Sequence, residues 1–391
     1  MRTPLQLAAF LLIVGGVVFG IHYYLWARYV RDPGLPAPWR LIATVALVAL
    51  AVFELGALPL SRLLPVSMVK GVSYAAFTWM GFSFLLLMFA AAGDVVRLVL
   101  AGASLALRGE AIDQSRRLFL ARAVAGTAGA ASAALGAVAL RNGLGEVEVK
   151  SVNVRLARLP RQLDGLTIAQ LTDVHVGPTI GRAFIERIVA QTNALKPDLV
   201  ALTGDLVDGS VESLRHLVEP LAGLKSRYGT FFVTGNHEYY SGADEWMEEL
   251  RRLGIRVLHN ERVTLGDAAG PGRFELAGVD DWTAHGNGHG PDLAKALAGH
   301  DPERELVLLA HQPKQIAQAA AAGVGLQLSG HTHGGQIAPF GALVALTQPF
   351  LSGLHRQGDA QIYVSQGTGY WGPPMRLGHP AEISKIVLSS S

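Results

Sequence analysis

The pattern of apolar positions changes character once along the chain. Through roughly the first 140 residues they come in long unbroken runs; from about Gly145 they come in short runs separated by polar and glycine-rich stretches. A helix needs about 20 apolar residues to cross the hydrocarbon core of a bilayer. Residues 5–27 (LQLAAFLLIVGGVVFGIHYYLWA) meet this and end in Tyr23, Tyr24 and Trp26, which suit the headgroup level. Residues 41–60, with Glu54 inside, and 74–93 form a second and a third run. Residues 119–140 form a poorer fourth, mostly Ala and Gly and interrupted by Arg122. The pattern predicts a transmembrane region of about four helices over residues 1–144 and a separate domain over 145–391. Glu54 reads either as a proton or substrate site within the membrane or as a protonated carboxyl bonded to a neighbouring helix.

In the second half, LTIAQL, DLVALTG, GTFFVTG, RFELAGV, ELVLLAH, LQLSG, QIYVS and EISKIVLS read as strands. AFIERIVAQTNAL, VESLRHLVEPLAGL and ADEWMEELRRLG read as amphipathic helices between the first of them. Such alternation predicts an α/β domain. QIYVS and EISKIVLS follow one another with no helix between, which predicts an antiparallel edge. Polar residues cluster after five of the strands: Asp173 and His175, Asp205 and Asp208, Asn236 and His237, His311, and His331 with His333. Ligands of open α/β sheets bind beyond the carboxyl ends of strands, so these clusters are expected to share one rim. Taken singly, each has a plain structural alternative, as a turn cap, a loop residue or a core histidine.

Half of the residues are hydrophobic, an excess carried by the first region, and the net charge is only +2, so no nucleic-acid partner is expected. The chain has no cysteine, which excludes disulfides and thiolate ligands and leaves His, Asp, Glu and Asn for any metal. Carboxylate oxygen and imidazole nitrogen suit Mn²⁺, Fe²⁺ or Zn²⁺ better than Cu(I). The donors are too many for one ion, and a carboxylate can bridge two. Two ions about 3.5–4 Å apart clamp an in-line displacement at phosphorus.

LTDVHVG, GDLVDG, GNHEYY, AHQP and GHTHGGQ stand in the order found in the calcineurin-like metallophosphoesterases, and residues of about 166–387 resemble that superfamily. The nearest likeness is to its membrane-anchored bacterial branch with a twin-arginine export signal. The resemblance implies a four-layer αββα sandwich with mixed sheets and two divalent ions, Mn, Fe or Zn. It implies that Asp173, His175 and His333 hold one ion, that Asn236, His311 and His331 hold the other, and that Asp205 bridges them. It further implies that hydroxide on the ions attacks phosphorus while His237 protonates the leaving oxygen, with Asp208 in support or merely capping its turn.

Arg116 and Arg117, ahead of the fourth run, resemble the twin-arginine signal, and Ala137-Val138-Ala139 resembles its cleavage site, although such signals normally begin a chain. The alternative is a basic turn before an ordinary helix. Arg28, Arg31 and Arg40, and then Arg97, Arg108, Arg116 and Arg117, outnumber Arg2, Arg62 and Lys70 in the alternate segments. By the positive-inside rule the catalytic domain then faces the outside of a cytoplasmic membrane.

The nearly uncharged stretch 337–354 beside GHTHGGQ reads either as an apolar wall for a lipid or bilayer, or as a loop packed on its own domain. Tyr370, Trp371 and Arg376 are candidates for the pocket mouth, the last two for substrate binding. His285 and His289 lie on a Gly-rich loop; they could reach the site, but the loop reads more naturally as mobile and exposed. His259, His355 and His379 show no pattern. The expected function is a membrane-tethered phosphomonoesterase or phosphodiesterase acting on an envelope lipid or wall component. The alternatives are a cytoplasm-facing hydrolase of a nucleotide-linked lipid precursor or cyclic nucleotide, and a non-catalytic membrane scaffold.

Overall fold

The computed structural model describes residues 4–108, 113–266, 272–286 and 288–390. Arg2 and the side chains of Arg62 and Arg108, used above for orientation, lie outside what is described. The chain divides into two compact units, an N-terminal helical one and a C-terminal α/β one.

In the helical unit, α1 (Pro4–Trp26), α2 (Ala37–Leu63), α3 (Val66–Arg108) and α4 (Gln114–Leu144) follow one another. α2, α3 and α4 each contain a stretch long and apolar enough to cross a membrane, over Ala37–Ala57, Met68–Leu107 and Gln114–Leu144. Large apolar side chains such as Leu41, Val45, Val48 and Val52 stay exposed along α2, as a lipid-facing surface requires. The third run is longer than the sequence suggested. α3 has 43 residues and so measures roughly 65 Å, about twice the hydrocarbon thickness. Residues 94–108, placed above between the third and fourth runs, continue the helix, because the glycines at 93 and 102 cost only about 1 kcal/mol each and no proline follows. Within α3, Asp94 accepts from Arg28 Nε at 2.8 Å and Arg97 Nη2 at 2.9 Å. Two basic positions assigned above to one membrane side thus share one carboxylate. Glu54 is buried, and its Oε2 has no hydrogen-bond partner among the described residues.

Among the described residues the α/β unit holds twelve strands: β1 (Glu148–Leu156), β2 (Thr167–Leu171), β3 (Leu199–Thr203), β4 (Thr230–Val233), β5 (Arg256–Val257), β6 (Glu261–Gly266), β7 (Arg273–Gly278), β8 (Leu306–Leu309), β9 (Leu326–Ser329), β10 (Gly353–Gln357), β11 (Ala360–Val364) and β12 (Glu382–Ser390). They form two six-stranded mixed sheets, ordered β1-β12-β2-β3-β4-β5 and β10-β11-β9-β8-β7-β6. β2, β3 and β4 run parallel in the first sheet, and β7, β8 and β9 in the second. The expected antiparallel edge is present, at β10 beside β11, but the last two strands do not pair with each other. β11 pairs with β9 and β10, whereas β12 crosses to the other sheet and lies antiparallel to β2.

The two sheets meet through Ile168, Leu199, Ala201, Phe231 and Val233 on one side and Leu276, Val307, Leu309, Leu326 and Leu328 on the other. Burying each of the larger side chains among them contributes about 1.5–3 kcal/mol, so this layer fixes the strand ends relative to one another. Alternate residues of β8 and β11, Leu306, Leu308, Ile362 and Val364, pack instead with Ile316 and Ala319 of an outer helix. Central strands buried on both faces read as continuous apolar runs, which is why they stood out in the sequence. Beyond the first sheet, α5 (Arg182–Ala194) buries Ile185, Ile188, Val189 and Thr192 on one stripe, and α6 (Val211–Val218) buries Val211, Leu214 and Val218. The short α7 (Asn236–Ser241) opens directly from the β4 end, and α8 (Ala243–Arg252) follows with Trp246 and Leu250 fully buried.

Candidate functional site

The five polar clusters converge at the carboxyl ends of β2, β3, β4, β8 and β9. Getting there strains the backbone. Asp173, His175, Asp205, His331 and His333 all adopt positive φ, between 51° and 71°. A left-handed conformation costs a non-glycine residue about 1–2 kcal/mol, so the sandwich imposes these turns against local preference. Small residues permit the crowding. A Cβ on Gly204 (φ +85°) would lie 2.7 Å from His311 Nδ1, and one on Gly330 would lie 2.1 Å from Asp173 Oδ2.

Asp205 occupies the centre. Its Oδ2 lies 3.1 Å from His311 Nε2 and 4.0 Å from both His175 Nε2 and His237 Nε2. On one side, His333 Nε2 stands 3.0 Å from His175 Nε2 and 3.4 Å from Asp173 Oδ1. On the other, His331 Nδ1 stands 3.3 Å from His311 Nε2. Asp173, His175 and His333 form one group able to hold a cation, and Asp205, His311 and His331 another. Asn236 is buried, and its Oδ1 has no hydrogen-bond partner among the described residues, which suits an oxygen donor kept for a cation. Ligand atoms 3.0–3.4 Å apart match neighbouring corners of a coordination sphere with bonds near 2.0–2.2 Å. The donor set, nitrogen and hard oxygen without sulfur, therefore fits two divalent ions with Asp205 between them.

The surroundings hold two of the imidazoles in the tautomer this needs. His175 Nδ1 donates to Asp208 Oδ1 at 3.1 Å and His311 Nδ1 donates to the Thr203 carbonyl at 2.8 Å, which frees Nε2 on each ring. His333 Nδ1 faces Arg376 Nη2 at 3.2 Å. Burial, with the Arg376 charge beside it, holds the His333 imidazole well below its usual range, and so in the neutral form a metal requires. Burial, and then the neighbouring His311, lowers His331 as well. Burial alone would raise the Asp205 carboxyl; the His311 and His237 imidazoles outweigh it and keep Asp205 ionised.

His237 stands at the edge of this set. Its Nδ1 contacts Asp208 Oδ1 at 2.5 Å, its backbone N–H donates to Asp205 Oδ1 at 2.8 Å, and its side chain is 15% exposed. Burial would lower its pKa, but the charges of Asp205 and Asp208 push it up to about 9. The exposed rings of Tyr240 and Trp371 meet it edge-on, with centroids at 5.4 and 5.7 Å.

The proposed substrate contact at Arg376 requires correction. Arg376 is fully buried, and its guanidinium donates to the carbonyls of Gly369, Gln366, Gly367 and His333. An arginine so enclosed cannot reach a phosphate in the open site; it braces the loop that carries His333. Trp371, by contrast, is exposed beside His237. Tyr370 is buried. The stretch 337–354 packs inward through Ile337, Gly341 and Gln348 and leaves Leu343 and Leu346 exposed. Of the remaining histidines, His285 is exposed, His355 stacks on Phe350, and His379 is half-buried. His259 and His289 meet each other with Asp280, while His285, Gly286 and Gly288 of the same loop are exposed.

One residue escaped the sequence reading. Glu238 is fully buried, and its carboxylate accepts from the backbone N–H of Gly235, Asp205 and Leu206 at 2.6, 3.0 and 2.8 Å. It ties the turn bearing Asp205 to the turn bearing Asn236 and His237. A glutamate in the first turn of a helix is a known capping signal, and here it caps two loops at once.

The family model for calcineurin-like phosphoesterases matches residues 166–335. An uncharacterized metallophosphoesterase of Aquifex aeolicus is 34% identical over 246 residues, covering 62% of this chain and 92% of that protein. The chain belongs to the calcineurin-like metallophosphoesterases. A Bos taurus transmembrane protein with metallophosphoesterase domain is 42% identical over 292 residues, 72% of this chain and 65% of its own length. An uncharacterized metallophosphoesterase of Helicobacter pylori (strain J99) is 42% identical over 249 residues, 63% of this chain and 65% of its own. This metallophosphoesterase thus spans just under two thirds of those two relatives.

Proposed function

We propose that the chain is a membrane-tethered, two-metal phosphoesterase whose substrate carries an apolar, lipid-like group and whose catalytic domain faces the outside of a cytoplasmic membrane. The observation that carries the hydrolase reading is the position of Asp205 Oδ2 between two imidazole groups, 3.1 Å from His311 and 4.0 Å from His175. Asp173, His175, His333 and Asp205 would hold one ion, and Asp205, Asn236, His311 and His331 the other. Bound there, a pair of divalent ions supplies Lewis-acid neutralisation of phosphoryl charge and lowers the pKa of water.

The chain's own residues supply the rest. Asp208 accepts the His237 Nδ1 proton, so the ring presents Nε2 toward the Asp205 side of the site. Protonated at both nitrogens, His237 can give the Nε2 proton to a leaving oxygen and revert to the neutral ring still bonded to Asp208. Tyr240 and Trp371, exposed and each in edge contact with His237, offer flat apolar walls for the leaving group or the ester's other substituent. Leu343 and Leu346, exposed roughly ten residues after His333, offer an uncharged surface suited to an acyl chain. The outer-face orientation rests on the arginines of the helical unit.

The test compares soluble aryl phosphate mono- and diesters with lipid-linked phosphate esters of matched headgroup, using the full chain in detergent with Mn²⁺. Turnover that Asp205→Asn abolishes, and a kcat/KM at least tenfold higher on the lipid-linked ester, is expected. Equal kcat/KM on both would refute the lipid preference, and turnover that survives Asp205→Asn would refute the site.

A further inference from the structure

Outside the strand-end set, His259, Asp280 and His289 form a second cluster of ligand-bearing side chains. His259 follows β5, Asp280 follows β7, and His289 lies in the Gly-rich loop of residues 284–290. One ligand atom from each lies within 4.8 Å of the other two. The Asp280 side chain is 1% exposed, and those of His289 and His259 are 11% and 24% exposed.

The hydrogen bonds leave one mismatch. His289 Nε2 faces Asp244 Oδ1 at 3.2 Å, and the carboxylate can only accept, so the proton of a neutral ring sits on Nε2. The lone pair is then on Nδ1. That atom is buried, has no hydrogen-bond partner among the described residues, and stands 3.8 Å from Asp280 Oδ2. Two acceptors face one another with no proton between them. A doubly protonated ring would remove the conflict only if it closed to the 2.7–2.9 Å of a charge-assisted bond, which 3.8 Å is not. The gap is near the roughly 3.4 Å edge of a tetrahedron with bonds of 2.0–2.2 Å.

The geometry points to a third divalent-cation site of zinc type, built from His259, Asp280 and His289. Two imidazoles and one carboxylate provide three corners of a tetrahedron and leave the fourth for water. Asp244, hydrogen-bonded to the far nitrogen of His289, orients the ring from behind, as carboxylates do for metal-binding histidines. His259 now donates from Nδ1 to Asp280 Oδ1 at 2.7 Å; on binding it exchanges that bond for one to the ion, its proton moving to Nε2. The frame is already built. Asn260, at φ +53°, accepts from the N–H of Asp280 at 3.2 Å and of Asp292 at 2.9 Å, and it donates to the Gly290 carbonyl at 2.8 Å.

The ion has a structural purpose. The Tyr239 ring meets His289 edge-on at 5.2 Å, and Tyr239 belongs to α7, which also carries Asn236 and His237. A cation here fastens the Gly-rich loop against the helix bearing the proposed proton donor. The site stands independently of the proposed hydrolase chemistry.

The test is metal content of the full chain in detergent, stripped by chelator, loaded with Zn²⁺ alone and measured by mass spectrometry. A His311→Ala, His333→Ala double variant takes a ligand from each of the two strand-end groups and so empties that set. It is expected to retain about one Zn²⁺ per chain, as a single three-ligand site predicts, and adding His289→Ala or the near-isosteric Asp280→Asn should remove it. A double variant holding no zinc, or zinc that survives both additions, overturns the proposal. If the double variant matches wild type while His289→Ala lowers the content, the strand-end assignment fails and the third site stands.

Discussion

His237 Nδ1 lies 2.5 Å from Asp208 Oδ1, the same oxygen that receives His175 Nδ1 at 3.1 Å. One carboxylate thereby sets the tautomer of a proposed metal ligand and of the proposed proton donor. Burial would raise the Asp208 carboxyl, but the His175 and His237 imidazoles hold it far below the usual carboxylate range, so it stays an acceptor throughout the physiological range.

Removing the proton donor should separate metal binding from turnover. His237→Ala is expected to keep the bound metal and lose about 10²–10⁴-fold in kcat on esters with poor leaving groups, as general-acid removal does. The loss should shrink on esters whose leaving group needs no proton. Metal analysis alongside steady-state rates on a leaving-group series checks this; a uniform loss across the series assigns His237 another role.

The metal-free chain should lose stability as pH rises through 9. His237 is held at about 9 in the fold against about 6.5 for a free imidazole, so between those values the folded chain binds more protons than the unfolded one. Stability then falls with rising pH: the contribution is full below about 6.5 and lost above about 9, on the order of 3 kcal/mol for this shift. Burial would lower His311, but the Asp205 charge outweighs it and raises that imidazole too, which adds to the same slope. Thermal melts of the chelator-treated chain across this window should show the decline, and His237→Asn should flatten part of it.

Glu238 should prove a stability residue with consequences for metal. Glu238→Ala leaves the buried N–H groups of Gly235, Asp205 and Leu206 without their acceptor. Unsatisfied buried groups cost about 1–3 kcal/mol each, so a loss of roughly 3 kcal/mol or more is expected in denaturant titrations. Glu238→Gln, which retains one carbonyl oxygen, should lose less.

Arg376 should behave as a brace. Arg376→Lys keeps the charge but cannot reproduce the guanidinium's bonds to the surrounding carbonyls, so metal affinity and melting temperature should fall while KM for a soluble ester at saturating metal stays within about twofold. A large rise in KM with unchanged metal affinity would restore it to the substrate side.

Leu343→Glu with Leu346→Glu places two charges on exposed positions. Stability should change by less than about 0.5 kcal/mol, as surface substitutions do. Activity on soluble esters should persist while activity on lipid-linked esters falls, measured as the ratio of kcat/KM values.

The sequence determined the two-part organisation, the eight interior strands and the strand-end positions of the polar clusters. Apolar runs, the period of the buried face and the glycines beside the motifs are local properties of the chain. The strands it did not reveal, β1, β5, β6 and β10, are the four edges of the two sheets. An edge strand is half-exposed and its apolar pattern is diluted, as the largely exposed face of β1 shows. Only the tertiary structure decided that β12 leaves its neighbour for the other sheet. It also decided that Arg376 turns inward, that Glu238 joins two turns, and that His259 and His289 meet Asp280. Each of these depends on segments brought together by packing between the sheets, a long-range outcome that no local pattern encodes.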